Sequence, residues 1–254
     1  MDGAYDAARR LMGVLPAQVL DASLQRMMEL VAEADPVLDV GGWADPLPRA
    51  DWVIDLLPYE TRGLYGREVD PNAERFSAQT WIERDICDRE PWPFADGQFE
   101  FVVCSHTLED VRDPVWVCNE MIRVARAGYI EVPSRLEEQS YGVHGSWVGW
   151  THHRWLVDIE AGGIQFVFKP HLLHSRPDFH FTAELGAELT PDERVQCLFW
   201  ERGFACGERI FTVPEELERY LGEFVADHTA VLRDRHPTTG RANRLLRRLT
   251  PGRR

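Results

Sequence analysis

The sequence predicts an α/β fold, with a mostly parallel sheet, helices on both of its faces and a closing pair of antiparallel strands. Short apolar runs alternate with helical patterns over about 100 residues, which is the order that parallel strands and crossover helices produce. Several of these runs end in an aspartate or a small polar residue, and parallel sheets bind ligands beyond such carboxyl ends. The length of 254 residues and the hydrophobic fraction of 44% suffice for one large domain with appendages.

Three parts are predicted along the chain. Residues 1–34 form an N-terminal helical segment, because apolar residues recur there at helical spacing. Residues 35–213 form the main domain, with an inserted loop at about 136–160. Residues 214–254 form a C-terminal helix followed by an arginine-rich tail.

The first strand of the main domain is predicted at Val37–Val40, inside the run Pro-Val-Leu-Asp-Val-Gly-Gly. The acid of this run is Asp39, and the run closes on Gly41 and Gly42. Glycine tolerates positive φ and lets a ligand approach the backbone closely. This turn is therefore the first candidate for a ligand-binding loop.

The second strand, Trp52–Leu56, follows after only eleven residues, and the connection contains Pro46 and Pro48. Prolines exclude a regular helix from that connection. A dinucleotide enzyme needs a helix here, because the helix N-terminus binds the pyrophosphate. The pattern instead favours a nucleoside without phosphates, with Asp55 placed to accept hydrogen bonds from both ribose hydroxyls.

Two further strands and a helix follow in the same order. The strands are predicted at Trp81–Asp85 and Phe99–Cys104. Asp113 is the predicted N-cap of the next helix, and Gly128 is its predicted end. The fifth strand is predicted at Tyr129–Val132.

The second half of the chain carries weaker patterns. Ile164–Phe168 and Arg209–Val213 are predicted as the antiparallel pair that completes the sheet. Val195–Phe204 is predicted as a short piece of helix leading into a loop, and Pro214–Arg233 as a helix.

These motifs, in this order, resemble the class I S-adenosylmethionine (SAM)-dependent methyltransferases, in particular the methyltransferase type 11-like subgroup with a Rossmann-like sheet. The resemblance covers about residues 35–135. It is carried by the runs Val37-Leu-Asp-Val-Gly-Gly42, Val53-Ile-Asp-Leu56, Asp85-Ile-Cys-Asp88, Pro93-Phe-Ala-Asp-Gly-Gln-Phe99 and Phe101-Val-Val-Cys-Ser-His-Thr-Leu-Glu-Asp-Val111.

SAM is the cofactor that the resemblance implies. The residues implied to bind it are Asp39, Gly41, Gly42, Asp55, Leu56, Asp85, Ile86, Ser105 and His106. Gly41 and Gly42 would lie beside its methionine part, and Asp39 would support their loop. Asp55 would hold the ribose hydroxyls.

On the same grounds, Asp85 would accept a hydrogen bond from the adenine amino group, and Ile86 would pack on the ring. Ser105 and His106 would lie near the methionine part and the reacting centre. Two features depart from the family pattern: the first loop lacks a third glycine and its helix, and Asp110 stands where the subgroup often has a second histidine.

The inserted loop is rich in tryptophan, histidine and glycine, a composition that suits an acceptor pocket. Methyl transfer to an oxygen or nitrogen often requires removal of a proton, and histidine titrates near neutral pH. His106, His152 and His153 are therefore the candidate catalytic residues.

No metal site is predicted. His171 and His174, with Asp178 and His180 beyond them, have a spacing that metal ligands can have. Since no cysteine or second acidic cluster accompanies them, the pattern does not indicate a metal.

Charge and composition restrict the classes of partner that the protein is expected to bind. The net charge of −14 argues against a nucleic-acid partner, which needs a positive face. No apolar run approaches the length of a membrane span, so no stable membrane insertion is expected. The five cysteines form no CxxC pair, which is typical of a cytoplasmic protein. The oligomeric state stays open, with a homodimer among the alternatives.

The predicted function is transfer of a methyl group from SAM to an oxygen or nitrogen of a small molecule, with a sugar or glycosylated natural product as one substrate class. Three alternatives stay open: a non-catalytic module that binds SAM or another nucleoside, an RNA or protein methyltransferase, and a nicotinamide oxidoreductase. Turnover and the choice between SAM and NAD would separate them.

Overall fold

The computed structural model describes residues 19–63, 72–160 and 162–235. Of the predicted N-terminal segment, the described part contains the helix Asp21–Leu30. The remainder of that segment and the arginine-rich tail lie outside the described residues.

A six-stranded sheet forms the centre of the main domain. Its strands, in spatial order, are β3 (Trp81–Glu83), β2 (Trp52–Asp55), β1 (Val37–Val40), β4 (Phe99–Ser105), β5 (Ala125–Pro133) and β8 (Val195–Glu201). All neighbouring pairs are parallel except β5 and β8, which are antiparallel. The mostly parallel sheet predicted from the sequence is confirmed.

Each face of the sheet packs against a helix. On one face, Val117 and Met121 of the helix Pro114–Val124 belong to the same buried cluster as Leu38 and Ile54 of the sheet. On the other face, Met27 of the first helix belongs to the same buried cluster as Val37 and Val53, which alternate along their strands with the residues named above. The side chains of a strand alternate between faces, so the continuous apolar runs of β1 and β4 supply both cores.

The helix Pro114–Val124 begins as the sequence predicts and ends earlier. Asp113 caps it by accepting a hydrogen bond from the amide of Trp116 at 3.0 Å. Gly128, its predicted end, lies inside β5 instead. A Cβ atom at Gly128 would lie 2.6 Å from the carbonyl oxygen of Val102, so the close approach of β4 and β5 requires glycine there.

The prediction for Val195–Phe204 was wrong, because β8 occupies this stretch as the closing strand of the sheet. The alternation is visible in the burial: Leu198 and Trp200 are buried, whereas Cys197 is exposed. A seven-residue stretch with mixed apolar and polar residues fits a short helix or an edge strand equally well, and pairing with β5 decides between them.

The predicted closing pair was also misplaced. Residues 164–168 do form a strand, but it belongs to a separate three-stranded sheet of β6 (Trp155–Glu160), β7 (Gly163–Phe168) and β9 (Ala205–Glu208). β6 and β7 are antiparallel, and β7 and β9 are parallel. Arg209–Val213 is irregular, and the strand ends just before it.

By its contacts the chain divides into two compact units. The first comprises the described residues of Met1–Arg135, His152–Lys169 and Val195–Ile210, and it contains both sheets. The second comprises the described residues of Leu136–Thr151, Pro170–Arg194 and Phe211–Arg254. The predicted domain boundaries at residues 34 and 213 stay a prediction.

The second unit is mainly helical and irregular. Besides the one-turn helix Arg135–Glu138, which leads into it from β5, it holds Ala183–Ala187, Pro191–Arg194 and the long helix Pro214–Arg235, together with 3-10 turns at His171–His174 and Pro177–Phe179. Phe181, Leu185 and Val225 belong to its own apolar cluster. In the described part of the chain, no helix combines the length and the apolar character needed to cross a membrane.

Candidate functional site

A cavity of about 840 Å³ lies in the first unit, where strands β1, β2 and β4 end. All the residues that the sequence indicates for cofactor binding or catalysis line this cavity: Asp39, Gly41, Gly42, Asp55, Leu56, Asp85, Ile86, Ser105, His106, His152 and His153. Parallel strands bring their carboxyl ends to one edge, so residues distant in sequence meet here.

The turn after β1 requires its two glycines. Gly41 has φ of +76°, and a Cβ atom there would lie 2.2 Å from the hydroxyl oxygen of Thr107. At Gly42 a Cβ atom would lie 2.3 Å from a carboxylate oxygen of Asp39. A side chain at either position would require Thr107 or Asp39 to move, and with glycine at both the backbone forms this wall of the cavity.

Asp39 supports the connection that follows this turn. Its Oδ2 accepts a hydrogen bond from the amide of Leu47 at 2.8 Å. Burial raises the pKa of Asp39 to about 7, although the bond from Leu47 opposes that rise. The carboxyl group is therefore held in an environment that disfavours its charge.

Asp55, at the end of β2, ties the same turn to the second strand. Its Oδ2 accepts from the amide of Trp43 at 3.0 Å, and its Oδ1 accepts from the amide of Leu57 at 2.8 Å. Burial raises its pKa, and these backbone bonds counteract the rise. Each carboxylate oxygen has a second lone pair, so Asp55 can still accept from a ligand hydroxyl.

Asp85 has a partner that the sequence did not indicate. Its Oδ2 accepts a hydrogen bond from the guanidinium of Arg112, and its Oδ1 accepts from the amide of Cys87 at 2.9 Å. Partial burial is the largest single influence and would raise the pKa of Asp85, but the bond from Arg112, the bond from the Cys87 amide and the nearby arginine charges together lower it. Next to it, Ile86 is buried and offers an apolar surface to the cavity.

His106 lies between two buried carboxylates. Its Nε2 is 3.2 Å from Oε1 of Glu131, and its Nδ1 is 3.6 Å from Oε1 of Glu109. Burial works against the charged imidazole, but the two carboxylates prevail and raise its pKa to about 10. His106 is thus an imidazolium at neutral pH, with both of its nitrogens engaged.

Glu131 is the residue that sequence reasoning missed most clearly. It lies in the middle of β5, is fully buried, and accepts hydrogen bonds from the hydroxyl of Tyr129 and from the amide of Leu20 at 3.2 Å. A single acid within an apolar strand was the available signal, since buried carboxylates need partners. Ser105 reaches the same carboxylate at 3.5 Å, at the outer limit of a hydrogen bond.

His152 and His153 lie together at another part of the cavity wall, beside Asp110. Nε2 of His152 is 4.0 Å from one oxygen of Asp110, and Nε2 of His153 is 3.9 Å from the other. The side chain of His153 is 5% exposed and that of His152 is 55% exposed. The departure from the family pattern at Asp110 therefore falls next to two of the predicted catalytic residues.

The residues present suit an adenosyl ligand. The cavity offers carboxylates at the ends of β1 and β2, an apolar side chain at Ile86, and a backbone wall at Gly41 and Gly42. Glu109 adds a buried carboxylate oxygen, Oε2, with no hydrogen-bond partner among the described residues. Buried acceptors of this kind are normally satisfied, so the site suits a ligand that donates hydrogen bonds or carries positive charge.

His171 and His174, the other histidine pair noted in the sequence, lie in the second unit. Nδ1 of His174 accepts a hydrogen bond from the amide of Val148 at 3.4 Å, and its ring packs edge-on against Trp147. Among the described residues, these histidines are not part of a group with metal-ligand geometry.

Comparison with known proteins identifies part of the chain. Residues 63–130 match the family model of a methyltransferase domain. This match confirms the methyltransferase resemblance predicted from the sequence, for which SAM is the implied cofactor. It covers the strands and loops that carry Asp85, Ser105 and His106, and it begins after the glycine turn. No curated protein sequence matches the chain.

Solved structures with partial similarity include a SAM-dependent methyltransferase from Aquifex aeolicus, at 17% identity and a TM-score of 0.34, with coverage of 44% of this chain and 63% of the other. The YcgJ protein from Bacillus subtilis aligns at 18% identity and a TM-score of 0.34, with coverage of 44% of this chain and 51% of the other. The chain thus spans between half and two thirds of the length of these structures.

Proposed function

Because residues 63–130 match a methyltransferase domain, we propose that this protein transfers a methyl group from SAM to an oxygen or nitrogen of a small molecule. A sugar or a glycosylated natural product belongs to the proposed substrate class. The observation that carries the proposal is the meeting of Asp39, Asp55 and Asp85 in one cavity beside the closely packed Gly41–Gly42 turn.

The proposed cofactor contacts follow from these side chains. Asp55 would accept the ribose hydroxyls, and Ile86 would pack against the adenine ring. Asp85 would accept from the adenine amino group while Arg112 keeps the carboxyl ionised. Bound SAM would supply an electrophilic methyl group on a sulfonium.

The charge of the cavity suits a cationic methyl donor. Among its described lining residues are seven acids and two arginines. A negative cavity attracts a sulfonium more strongly than the neutral sulfur of S-adenosylhomocysteine (SAH). This difference would favour exchange of the spent product for fresh donor.

The three candidate catalytic histidines divide into two roles. At neutral pH His106 already holds its proton between Glu109 and Glu131, so we assign it a positioning role at the end of β4. His152 and His153, beside Asp110, are the groups that we propose prepare the acceptor. Imidazole is the usual general base for removing a proton from an oxygen or nitrogen acceptor.

The central test is isothermal calorimetry of SAM and SAH with wild-type protein and Asp55→Ala. Loss of the ribose acceptor is expected to weaken binding by more than ~tenfold. Asp55→Asn keeps one oxygen acceptor and is expected to bind with intermediate affinity. Asp227→Ala, which removes an exposed acid from the helix Pro214–Arg235, serves as the matched control and should bind like wild type.

Equal affinity of wild type and Asp55→Ala, with unchanged melting temperatures, would remove Asp55 from the site and with it the proposed cofactor geometry. Binding without release of SAH, across a screen of hydroxylated and amine acceptors, would instead select the non-catalytic nucleoside-binding alternative.

A further inference from the structure

Asp110, His152 and His153 form the group with metal-ligand geometry in the described part of the chain. One ligand atom from each residue lies within 4.8 Å of those of the other two. The ring centroids of His152 and His153 are 4.5 Å apart and the ring planes are nearly perpendicular, so the two rings do not stack face to face. All three residues line the cavity described above.

Hydrogen bonds to backbone carbonyls explain why Asp110 lies near His152 and His153, although more than forty positions separate it from them in sequence. The amide of Arg154 donates to the carbonyl of Glu109 at 2.7 Å, and the indole of Trp155 donates to the carbonyl of Val111 at 2.8 Å. The segment just before β6 is therefore fastened to the segment after β4 on both sides of Asp110. The closeness of these two segments therefore belongs to the fold.

We infer that Asp110, His152 and His153 bind one divalent transition-metal ion. Two imidazoles and one carboxylate form a ligand set typical of such ions, and three protein ligands leave coordination positions open. In a bound site with bonds of about 2.1 Å, neighbouring ligand atoms are about 3 to 3.4 Å apart. The ligand atoms of the three residues lie within 4.8 Å of one another, so they must approach by as much as about 1.5 Å, which side-chain rotation can supply at the exposed His152.

A bound ion would restrict the class of methyl acceptor, and this inference about the acceptor rests on the proposed function. An amine that coordinates the ion uses the lone pair it needs for attack on the methyl group, whereas a hydroxyl oxygen keeps a second one. The site therefore favours an alcohol or phenol acceptor over an amine. In the metal-bound site the two imidazoles are ligands and no longer take up the acceptor proton, so the ion replaces the base role given to them above. The hydroxyl proton passes to water, the oxygen forms a bond to the methyl carbon as the carbon–sulfur bond breaks, and that electron pair stays on sulfur.

The test is titration of chelator-treated protein with Co²⁺, followed by visible absorption and by metal analysis after gel filtration. Wild type is expected to bind one equivalent with a spectrum of mixed nitrogen and oxygen ligation. His152→Ala, His153→Ala and Asp110→Asn are each expected to weaken Co²⁺ binding at least ~tenfold. His171→Ala, which removes an exposed histidine of the second unit, is the matched control and should match wild type.

SAH affinity is measured on the same samples, so that the two proposals can fail separately. Absence of saturable Co²⁺ binding, or equal binding by all three variants, overturns the metal site even where SAH binds normally. Absence of SAH binding by the wild-type protein overturns the proposed function, and the Co²⁺ titration then decides the metal site independently. With an alcohol acceptor, turnover that a chelator does not reduce contradicts the role of the ion in catalysis.

Discussion

His106 shows how single residues set the chemistry of this cavity. Its positive φ of 48° is unusual for a non-glycine residue, and its amide donates to the carbonyl of Glu131 at 2.9 Å. The ring then contacts the carboxylates of Glu131 and Glu109. A conformation of this kind persists when its surroundings hold it in place, and here a backbone bond and two ion pairs do so.

The raised pKa of His106 predicts how stability depends on pH. The imidazole of His106 loses its proton at a pKa of about 10 in the folded protein and at the ordinary value of about 6.5 in the unfolded chain. The tighter hold on this proton stabilises the folded state. The stabilisation is complete below the unfolded pKa and is lost as the pH rises through the folded pKa. Thermal unfolding is therefore expected to shift to lower temperature between pH 6.5 and 9, a range below the folded pKa of His106.

Glu131→Gln tests the cause of the raised pKa of His106, since it removes one of the two carboxylates beside the imidazole. The pKa of His106, followed by NMR of its ring protons, should fall by at least about one unit, and the slope of melting temperature against pH should decrease. An unchanged histidine pKa in Glu131→Gln would contradict the assigned pairing. Glu100→Gln, on the partly exposed acid that pairs with Arg126, provides the control.

At the scale of elements, the turn after β1 and the carboxyl end of β2 act together. The amide of Gly41 donates to the carbonyl of Ile54 at 2.9 Å, and Asp55 accepts from the amide of Trp43. The proline-containing connection takes the place of a crossover helix. The loop is therefore positioned by hydrogen bonds to β2, and it does not rely on a helix N-terminus.

Gly42→Ala is expected to disrupt this element. The new methyl group would overlap the carboxylate of Asp39, so this side chain or the turn must shift, and the affinity for SAH should fall at least ~tenfold. Gly207→Ala in β9 is a close control, because a Cβ atom there meets nothing within 4 Å. If calorimetry gave the same SAH affinity for both variants, the turn would not be part of the binding site.

At the scale of the whole molecule, we expect the fold to favour a nucleoside without a diphosphate over a dinucleotide. The first unit collects carboxylates at its strand ends, and the connection after β1 offers no long helix to a pyrophosphate. The net charge of −14 adds to this selection against polyanionic ligands.

Ligand-dependent melting tests this selectivity. SAH at a concentration 100 times its dissociation constant is expected to stabilise the folded protein by about 2.7 kcal/mol. NAD at the same concentration should leave the melting temperature unchanged. Protection by NAD and none by SAH would select the nicotinamide oxidoreductase instead.

How far the sequence predicted the structure depends on the kind of signal. β1 was predicted to the residue, and β2 and β4 to within one residue, because buried parallel strands form apolar runs that end in polar groups. β8 was not predicted, since a short edge strand carries a mixed pattern. The separate three-stranded sheet was not predicted either, because pairing partners far apart in sequence leave no periodicity.

The sequence by itself determined the order of the first five strands along the chain, the absence of a helix after β1 and the candidate residues at the strand ends. These depend on local patterns: apolar runs, prolines and glycines, whose effects act over a few residues. Tertiary structure alone decided that His106 is paired with Glu109 and Glu131, and that Asp110 lies beside His152 and His153. Contacts across long separations depend on which strands pair, and the same contacts set the burial and charge that determine each group's pKa.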